Sequence, residues 1–388
     1  MKSIFYTFWC VFLYVFFAVN SLAANIPAVL QSPVPVPDIQ AKSWVLMEAE
    51  TQWIIAEKNA DMRIEPASLT KLMTLYVLFE LIEKGQFGLQ DKVVISEKAR
   101  YVEGSRMFAE LNSQITVLNL LKSVIIQSGN DASIALAEFA AGSEDGFVSL
   151  MNDAVRRMGL KNSQFKNVSG LPDDEHYSSA RDMAIISQAL IKNYDAYYPW
   201  FSVREMTHNN ITQSNRNRLL SRANWVDGLK TGHTESAGYC LAASGKQGET
   251  RFITVVTGSE SDKIRSNAAF SLLQYGFANY EYYAPELDEL NRKIRVFEGE
   301  LDLIETLPSS TVQMVLPKSE SINEYENVSI QFRLKQSLTA PIVTGENVGT
   351  VRVSYKDEVI VTQAMESQNN IKQGSFFKRL TDKVKSYF

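Results

Sequence analysis

Between residues 40 and 285 the hydrophobic positions follow two different periods, which predicts a mixture of strands and helices. The β-rich runs Lys42–Met47 and Trp53–Ala56 flank a short polar segment and predict a hairpin. From Ser68 to Lys84 apolar residues cover most faces of a helix, so we expect this helix deep in the core. The remaining runs predict further helices, a strand pair and a closing helix, at Leu118–Ile126, Ser133–Ala141, Gly146–Met158, Tyr239–Ala243, Phe252–Val256 and Ile264–Phe277. The pattern therefore predicts an α+β unit.

The pattern changes near Leu287. Short runs, often alternating between apolar and polar residues, are separated by polar turns at Lys293–Phe297, Val312–Leu316, Val328–Leu334, Gly349–Tyr355 and Glu358–Thr362. Regular short strands of this kind are typical of a small all-β domain of sandwich type. We therefore expect one unit at 40–285, a small β domain at 286–366 and a separate terminal segment at 367–388.

The segment Phe376–Phe388 combines aromatic and basic residues at helical spacing. Phe376, Phe377, Leu380, Val384 and Phe388 fall on one side, and Lys378, Arg379, Lys383 and Lys385 fill the other. The segment is too short to span a bilayer, which needs about twenty residues, but it can lie flat on a membrane surface. The pattern favours an amphipathic membrane-associating helix, and a helix packed on its own domain is the alternative.

Residues 1–24 have the layout of a secretory signal peptide. Lys2 precedes the mostly apolar run Ile4–Val19, and Ser21–Ala23 provides a small–x–small cleavage site. We expect cleavage after Ala23 or Ala24, with an uncleaved membrane anchor as the alternative. Either interpretation places the rest of the chain outside the cytoplasm. Residues 25–39 contain four prolines and are expected to form an extended lead-in.

Composition excludes several functional classes. The chain of 388 residues has a net charge of −5, which becomes −6 when Lys2 leaves with the signal, so the overall charge disfavours nucleic acid as a partner. The histidines His176, His208 and His233 lack metalloprotease spacing, so we expect no metal and no cofactor. Cys240, alone after cleavage, lies in an apolar run that favours packing over catalysis.

The strongest chemical signal begins the apolar helix. Ser68 and Lys71 are three residues apart and would share one helix face. Serine is a weak nucleophile that needs a base to take its proton, and a lysine whose amine is neutral can be that base. Ser-x-x-Lys is common by chance and often means a helix cap and a surface lysine, but here Lys71 lies within an almost wholly apolar helix.

Two further segments carry suitable groups. Ser128-Gly129-Asn130 separates two predicted helices, and we expect its glycine to permit a tight turn that presents both polar side chains together. Lys230-Thr231-Gly232 precedes a predicted strand, and on an edge strand it would suit a ligand that docks by strand addition. Taken alone, the first could be an ordinary helix–helix loop and the second a simple turn.

Together and in this order the three segments resemble the set found in penicillin-binding proteins and serine β-lactamases. More specifically, the chain is similar to the low-molecular-mass penicillin-binding proteins of the D-alanyl-D-alanine carboxypeptidase family. The resemblance runs from about residue 40 to the end and includes Trp44–Met47, Glu57–Asp61, Glu65–Thr74, Ser128–Ala135, Gly170–Pro172, Asp182–Ala184 and Asp227–Tyr239. It implies a β-lactamase/transpeptidase-like catalytic domain, with an antiparallel sheet packed with helices, followed by the small β domain.

The resemblance also implies a mechanism. Ser68 would attack the carbonyl between the two terminal D-alanines of a peptidoglycan stem pentapeptide, releasing D-alanine and leaving an acyl-enzyme, and β-lactams would acylate the same serine. Lys71 would accept the serine proton, while Ser128 and Lys230 would relay a proton to the leaving amine. Asn130 would hold the substrate amide or Lys71.

The resemblance implies further binding groups. The backbone N–H groups of Ser68 and His233, the latter after Gly232, would form the oxyanion hole. The free carboxylate of the substrate needs a cation. Lys230 and Thr231 are the nearest candidates by motif, Arg265 and Arg216 are weaker ones by position, and both arginines could equally be surface charges.

Other functions remain as alternatives. A class A β-lactamase would hold its deacylating water with a glutamate. Glu175 lies in the corresponding region, but no Glu-x-x-Leu-Asn pattern follows it. A non-catalytic envelope scaffold would keep the fold without the chemistry, which the intact Ser68 and Lys71 disfavour. Endopeptidase action on cross-links would use the same residues. For the enzyme we expect a peripheral location at the periplasmic face of the inner membrane.

Overall fold

The computed structural model describes residues 34–318 and 327–385. The predicted signal peptide at 1–24, the first part of the lead-in and the last three residues of the terminal segment lie outside this range. The α-helices of the described residues are α1 (Thr70–Glu83), α2 (Glu97–Tyr101), α3 (Val117–Ile126), α4 (Asn130–Ala141), α5 (Glu144–Met158), α6 (Ala180–Asn193), α7 (Leu219–Arg222), α8 (Asp262–Asn279), α9 (Leu287–Leu290) and α10 (Phe376–Lys385).

The strands of the described part of the chain fall into five sheets. In chain order they are β1 (Ser43–Glu48), β2 (Ile54–Lys58), β3 (Lys92–Val94), β4 (Gln114–Thr116), β5 (Glu205–His208), β6 (Ile211–Ser214), β7 (Val226–Thr234), β8 (Gly238–Gln247), β9 (Thr250–Ser259), β10 (Tyr280–Tyr283), β11 (Arg292–Phe297), β12 (Leu303–Pro308), β13 (Met314–Pro317), β14 (Val328–Leu334), β15 (Ser337–Thr339), β16 (Asn347–Tyr355) and β17 (Glu358–Ser367). Most predicted elements are present. The longest elements without a counterpart in the sequence analysis are α6 and β12, and the short elements α2, α7, α9, β3, β4, β5, β6, β10 and β15 were also not predicted.

The central sheet is antiparallel, with the strand order β2-β1-β9-β8-β7. Both of its faces are covered. Val45 and Met47 face the core formed with the helices around α1, whereas Trp44 and Leu46 face the core formed with α8 and the small β domain. Because both faces are buried, the strands carry nearly continuous apolar runs. The strand β7 forms one edge of this sheet, as the sequence predicted for the segment around Lys230.

The helix α1 lies in the centre of the larger core. Ten of its fourteen residues are buried, including Leu72, Leu75 and Phe79, which confirms the prediction of a deeply buried helix. A short 3₁₀ turn, Ala67–Leu69, precedes it. The position of Ser68 is therefore set at the junction of this turn with a helix that cannot shift without disturbing the core.

The C-terminal part is all-β, as expected. A six-stranded sheet has the order β14-β16-β17-β12-β11-β15, and β10 and β13 form a two-stranded ribbon. The pair β11–β15 is parallel and the other pairs are antiparallel. Its apolar face belongs to the same core cluster as α8, so the two parts of the chain share a continuous apolar contact.

The helix α10 packs on the small domain by its polar side. Asp382 is buried and accepts the backbone N–H of Glu298 at 2.9 Å, and Lys378 forms ion pairs with Asp302 and Asp382. Its apolar side chains point outward: Phe376, Phe377, Leu380 and Val384 are all more than half exposed. Among the described residues, no helix combines the length and apolarity needed to cross a bilayer.

Candidate active site

The structure brings Ser68 and Lys71 into direct contact. Ser68 lies in the 3₁₀ turn and Lys71 in the first turn of α1, so the chain places them on the same side. The distance between Lys71 Nζ and Ser68 Oγ is 3.0 Å. This is hydrogen-bond distance, which a base needs if it is to take the proton of the serine.

Two acceptors orient the amine of Lys71. Its Nζ donates to Asn130 Oδ1 at 2.7 Å and to the backbone carbonyl of Ser169 at 2.5 Å. A neutral amine has two N–H groups and one lone pair. Because the two acceptors engage both N–H groups, the lone pair is directed at the third neighbour, Ser68 Oγ.

Burial adjusts the basicity of this amine. Lys71 has no exposed surface, and desolvation lowers its pKa to about 7. The Asp131 carboxylate opposes this shift, and the Arg216 guanidinium adds to it. The amine is therefore substantially neutral near neutral pH, as a general base must be.

The turn Ser128–Asn130 supplies the next groups. Asn130 begins α4, and its amide nitrogen donates to the carbonyl of Glu103 at 2.6 Å, which leaves the amide oxygen facing Lys71. The turn needs glycine for space: a Cβ at Gly129 would lie 2.3 Å from Ser123 Oγ, whereas the positive φ, +67°, belongs to Ser128 and Gly129 has −59°.

Strand β7 brings a second amine to the same place. Lys230 Nζ donates to Ser128 Oγ and to the carbonyl of Thr231, both at 2.9 Å. Burial lowers the pKa of Lys230 well below its ordinary value, and the charges of Lys71, Arg216 and Arg265 lower it further. The hydroxyl of Ser128 is thus linked to one buried amine.

Gly232 allows the edge strand to lie against the turn that contains Ser68. A Cβ at this position would lie 3.0 Å from the carbonyl oxygen of Pro66 and 3.2 Å from the backbone nitrogen of Leu69, on either side of Ser68. Only glycine lets the two backbones approach so closely without displacing one of them. The following residue, His233, has an exposed ring that stacks on Tyr239 at a centroid distance of 3.9 Å.

The two candidate arginines differ in their surroundings. Arg265 is buried and donates to the carbonyls of Gly232 and Cys240 and to the carboxylate of Asp262. The Arg216 side chain is exposed overall, and its charge acts on both site lysines. Partial desolvation and the charge of Arg265 lower its own pKa.

Two important groups were not identified as site residues by the sequence analysis. Asp131 accepts the N–H groups of Met107, Ala109 and Ala132, and its charge faces Lys71. The other group is the backbone carbonyl of Ser169, which accepts the hydrogen bond from Lys71 Nζ. The one available signal was the stretch beginning at Gly170, which marked this segment but not its role.

The remaining chemistry-bearing features lie elsewhere. Cys240 is buried, and burial raises the pKa of its thiol to about 11, as fits a packing residue. A cavity of about 1400 Å³, lined by residues such as Trp53, Glu57 and Arg181, lies along β2 at the opposite edge of the central sheet. Within residues 34–318 and 327–385 there is no cluster of side chains suited to a metal ion.

Two family models match the chain. Residues 30–261 match the D-alanyl-D-alanine carboxypeptidase family, and residues 286–373 match the C-terminal domain of penicillin-binding protein 5. The first match includes Ser68, Lys71, the turn at 128–130 and Lys230. The second covers the small β domain.

Individual proteins agree with these models. D-alanyl-D-alanine carboxypeptidase DacF of Bacillus subtilis is 37% identical, over 87% of each chain. DacC of Escherichia coli, with the same description, is 37% identical over 92% of this chain and 91% of its own. The crystal structure of penicillin-binding protein 5 from Haemophilus influenzae superposes with a TM-score of 0.81 at 36% identity, and the match covers 88% of this chain and all of that one.

Proposed function

Because the chain belongs to the D-alanyl-D-alanine carboxypeptidase family and is therefore a penicillin-binding serine peptidase, we propose that Ser68 is its nucleophile and Lys71 its general base. One observation carries this assignment: the buried amine of Lys71, with a pKa of about 7, lies 3.0 Å from Ser68 Oγ. The substrate is the stem pentapeptide of peptidoglycan, which ends in D-alanyl-D-alanine.

Acylation begins when Lys71 Nζ takes the hydroxyl proton and Ser68 Oγ attacks the carbonyl between the two D-alanines. The negative charge that develops on the carbonyl oxygen is stabilised by the backbone N–H groups of Ser68 and His233. Each such donor is worth about 2.7–4 kcal/mol to the transition state. The close packing of Gly232 against Pro66 and Leu69 supports this arrangement, because it places the backbone beside His233 next to the backbone beside Ser68.

Expulsion of the terminal D-alanine requires a proton on its nitrogen. Ser128 delivers its hydroxyl proton to that nitrogen and is reprotonated by Lys230, an exchange supported by the 2.9 Å contact between them. Lys230 in turn receives the proton that Lys71 took from Ser68, so Lys71 is neutral again before deacylation. Water then attacks the acyl carbonyl, Lys71 takes a proton from the water, and the C–O bond to Ser68 breaks with return of a proton to Oγ. The products are D-alanine and the shortened peptide.

The substrate binds as an additional strand along the free edge of β7, beside Lys230, Thr231 and Gly232, while Asn130 holds its amide or Lys71. Arg216 is the preferred partner for the substrate carboxylate, because its charge already acts on both site lysines. Most N–H donors of Arg265 already form hydrogen bonds with β7, β8 and Asp262. We therefore assign Arg265 a structural role, holding these elements together, and not direct binding of substrate.

The two alternative functions are less well supported. A class A β-lactamase would need a glutamate at the site, but Glu175 forms a surface ion pair with Lys166. A scaffold without activity would not need an amine held at low pKa beside a serine.

The enzyme acts outside the cytoplasm and attaches peripherally to the periplasmic face of the inner membrane. The signal-like pattern of residues 1–24 supports export, and the outward-facing Phe376 and Phe377 support attachment. The chain divides into a catalytic domain at 40–285, a β domain at 286–366, and a linker and amphipathic helix at 367–388. Packing of α10 through Asp382 leaves its apolar face available to lipid.

Incubation with a fluorescent penicillin tests the assignment. The parent protein should form a covalent adduct that mass spectrometry places on Ser68, and Ser68→Ala should form none. Lys71→Ala should acylate about 10²–10⁴-fold more slowly, whereas the surface control Lys84→Ala, at the end of the same helix, should acylate like the parent. An adduct on any other residue refutes the proposal. Release of D-alanine from a pentapeptide, compared with β-lactam turnover, separates a carboxypeptidase from a β-lactamase.

A further inference from the structure

The segment at 163–179 lies against α1 and is joined to it at three neighbouring positions. Thr74 Oγ1 donates to the carbonyl of Val168 at 2.8 Å, and Lys71 Nζ donates to the carbonyl of Ser169. The third link joins Thr70 Oγ1 to His176 Nε2 at 2.7 Å. We call this segment the helix-facing loop.

His176 also joins the two arms of the helix-facing loop. Its Nδ1 accepts the backbone N–H of Lys166 at 3.1 Å, and the ring packs edge-on against Phe165. Because Nδ1 is an acceptor, the ring proton lies on Nε2 and is donated to Thr70 Oγ1. The neutral ring thus bonds to the outgoing arm of the loop on one side and to the catalytic helix on the other.

The surroundings keep this ring neutral. His176 is buried, and desolvation lowers its pKa to about 4. The Asp173 carboxylate on the same loop opposes the shift, and Lys71 on α1 reinforces it. The imidazole of His176 therefore stays neutral, with its proton on Nε2, throughout the neutral pH range.

Two further features restrict the conformation of the helix-facing loop. Gly170, with φ +82°, packs closely against the 3₁₀ turn that contains Ser68: a Cβ at Gly170 would lie 1.8 Å from the carbonyl oxygen of Ala67. Asn167 Oδ1 accepts the N–H groups of Ser169, Gly170 and Leu171. The position of the Ser169 carbonyl thus follows the position of the loop relative to α1.

From these contacts we infer that His176 is a positioning residue for acylation, acting through Thr70 to hold the Ser169 carbonyl against Lys71. Without that carbonyl one N–H of the Lys71 amine loses its acceptor, and the lone pair is no longer directed at Ser68 Oγ. This inference rests on the roles proposed above for Ser68 and Lys71. It concerns the rate of proton transfer and not the binding of substrate.

Matched substitutions separate the two bonds of the ring. His176→Gln retains an amide N–H at the reach of Nε2 and keeps the bond to Thr70. His176→Asn retains an acceptor at the position of Nδ1 and loses that bond. On the helix, Thr70→Ser keeps the hydroxyl and Thr70→Val removes it with little change of shape.

Stopped-flow acylation by a fluorescent penicillin resolves the non-covalent binding constant from the limiting acylation rate. We expect His176→Asn and Thr70→Val to lower the limiting rate about five- to tenfold, as loss of one hydrogen bond implies, with binding unchanged. His176→Gln and Thr70→Ser should stay within about twofold of the parent, and the Asn/Val double variant should lose no more than either single one.

The inference is overturned if Thr70→Val acylates at the parent rate. It is also overturned if the Gln and Asn variants lose equal activity in proportion to their thermal stability, because the ring would then be only a packing element. Thr70→Val decides the matter even if a His176 variant fails to fold. If the parent protein forms an adduct on Ser68 and the variants acylate at the parent rate, only this inference is refuted. If the parent protein forms no adduct, the proposed function is refuted as well.

Discussion

Lys230 Nζ donates a hydrogen bond of 2.9 Å to Ser128 Oγ and so joins the edge strand β7 to the turn between α3 and α4. The two residues are 102 positions apart in the chain. Each is nearly buried, so the contact is shielded from water and from salt. A hydroxyl in this position can exchange protons with an amine that has a lowered pKa.

Replacement of this hydroxyl should slow acylation without unfolding the protein. We expect Ser128→Ala to lower the rate of penicillin acylation about 10²-fold, the lower range for loss of a positioned proton donor. Alanine and serine are similarly strained at positive φ, so the backbone cost is matched. The measurement is the second-order rate of adduct formation.

Ser123→Ala is the control for this substitution. Ser123 is also buried and nearby, but its hydroxyl has no hydrogen-bond partner among the described residues. It should acylate within about twofold of the parent, because no interaction is removed. Equal losses in both variants would mean that the hydroxyl of Ser128 has no special role.

The pH dependence of acylation should report the ionisation of Lys71. Its pKa is lowered to about 7, so the reactive neutral amine predominates above pH 7 and disappears below it. The acylation rate should therefore rise about tenfold per pH unit up to a midpoint near pH 7 and then level off. Rates measured from pH 4.5 to 9 give this midpoint.

Arg216→Gln should move that midpoint to higher pH. The Arg216 charge lowers the pKa of Lys71, so its removal lets the pKa rise. Arg156→Gln, a change at an exposed position on α5, should leave the midpoint in place. A midpoint that does not respond to Arg216, or that lies near 10, would contradict the assignment of Lys71 as the buried base.

Gly170→Ala should be among the most damaging single substitutions in the helix-facing loop. The residue has φ +82°, and a Cβ would meet the carbonyl oxygen of Ala67 at 1.8 Å. The left-handed conformation costs about 1–2 kcal/mol, and overpacking adds about 1–3 kcal/mol to the loss in free energy of unfolding. Urea unfolding measures the sum, and the acylation rate should fall with it because Ser68 adjoins Ala67.

Gly142→Ala separates the two contributions. Gly142 has a similar φ, +76°, but nothing lies within 4 Å of its Cβ position. Only the conformational cost of about 1–2 kcal/mol should appear, with normal acylation. If both variants lose the same free energy of unfolding, the helix-facing loop does not pack against the turn that contains Ser68 as closely as described.

The outward face of α10 should bind lipid. Replacing both Phe376 and Phe377 by serine removes two aromatic side chains, each worth about 1.5–3 kcal/mol when buried. We expect binding of the full chain to anionic phospholipid vesicles to weaken about 100-fold or more in a sedimentation assay. Vesicles of neutral lipid should bind the parent less tightly, because basic residues contribute about 1 kcal/mol each near an anionic surface.

Ile211→Ser, a change at an exposed apolar residue on the β5–β6 hairpin, is the control for the vesicle assay. It should bind vesicles like the parent. Unchanged binding after loss of both phenylalanines would refute attachment through α10. The anchor prediction is independent of the catalytic one, since α10 packs on the small domain and none of the proposed catalytic residues belongs to it.

Local patterns in the sequence were sufficient for most of the fold. The 3.6-residue period located α1, α3, α4 and α5 within a few residues, and short alternating runs located most strands of the small domain. The α6 helix was overlooked although Ser179 caps it and its apolar residues are regularly spaced. The strand β12 was missed because its two buried positions are Ile304 and Thr306, so a polar residue interrupts the apolar alternation although its partner β11 is adjacent in the chain.

The candidate site was predictable only where side chains carry the chemistry. Ser68 and Lys71 are three residues apart, so helix geometry alone puts them on one face. The position of Arg265 was less predictable: its place in the chain suggested substrate binding, yet its N–H donors are largely used by Gly232, Cys240 and Asp262. Which acceptors surround a guanidinium depends on packing and not on spacing.

The sequence by itself therefore determined the order of the elements, the family and the reactive side chains, because these depend on residue type and on short spacings. Only the tertiary structure decided that the amine of Lys71 is buried away from water, that Asp131 faces this amine, and that the carbonyl of Ser169 orients it. Every residue has a carbonyl, so no pattern of side chains marks the one that matters. Desolvation likewise depends on all the elements that enclose a group.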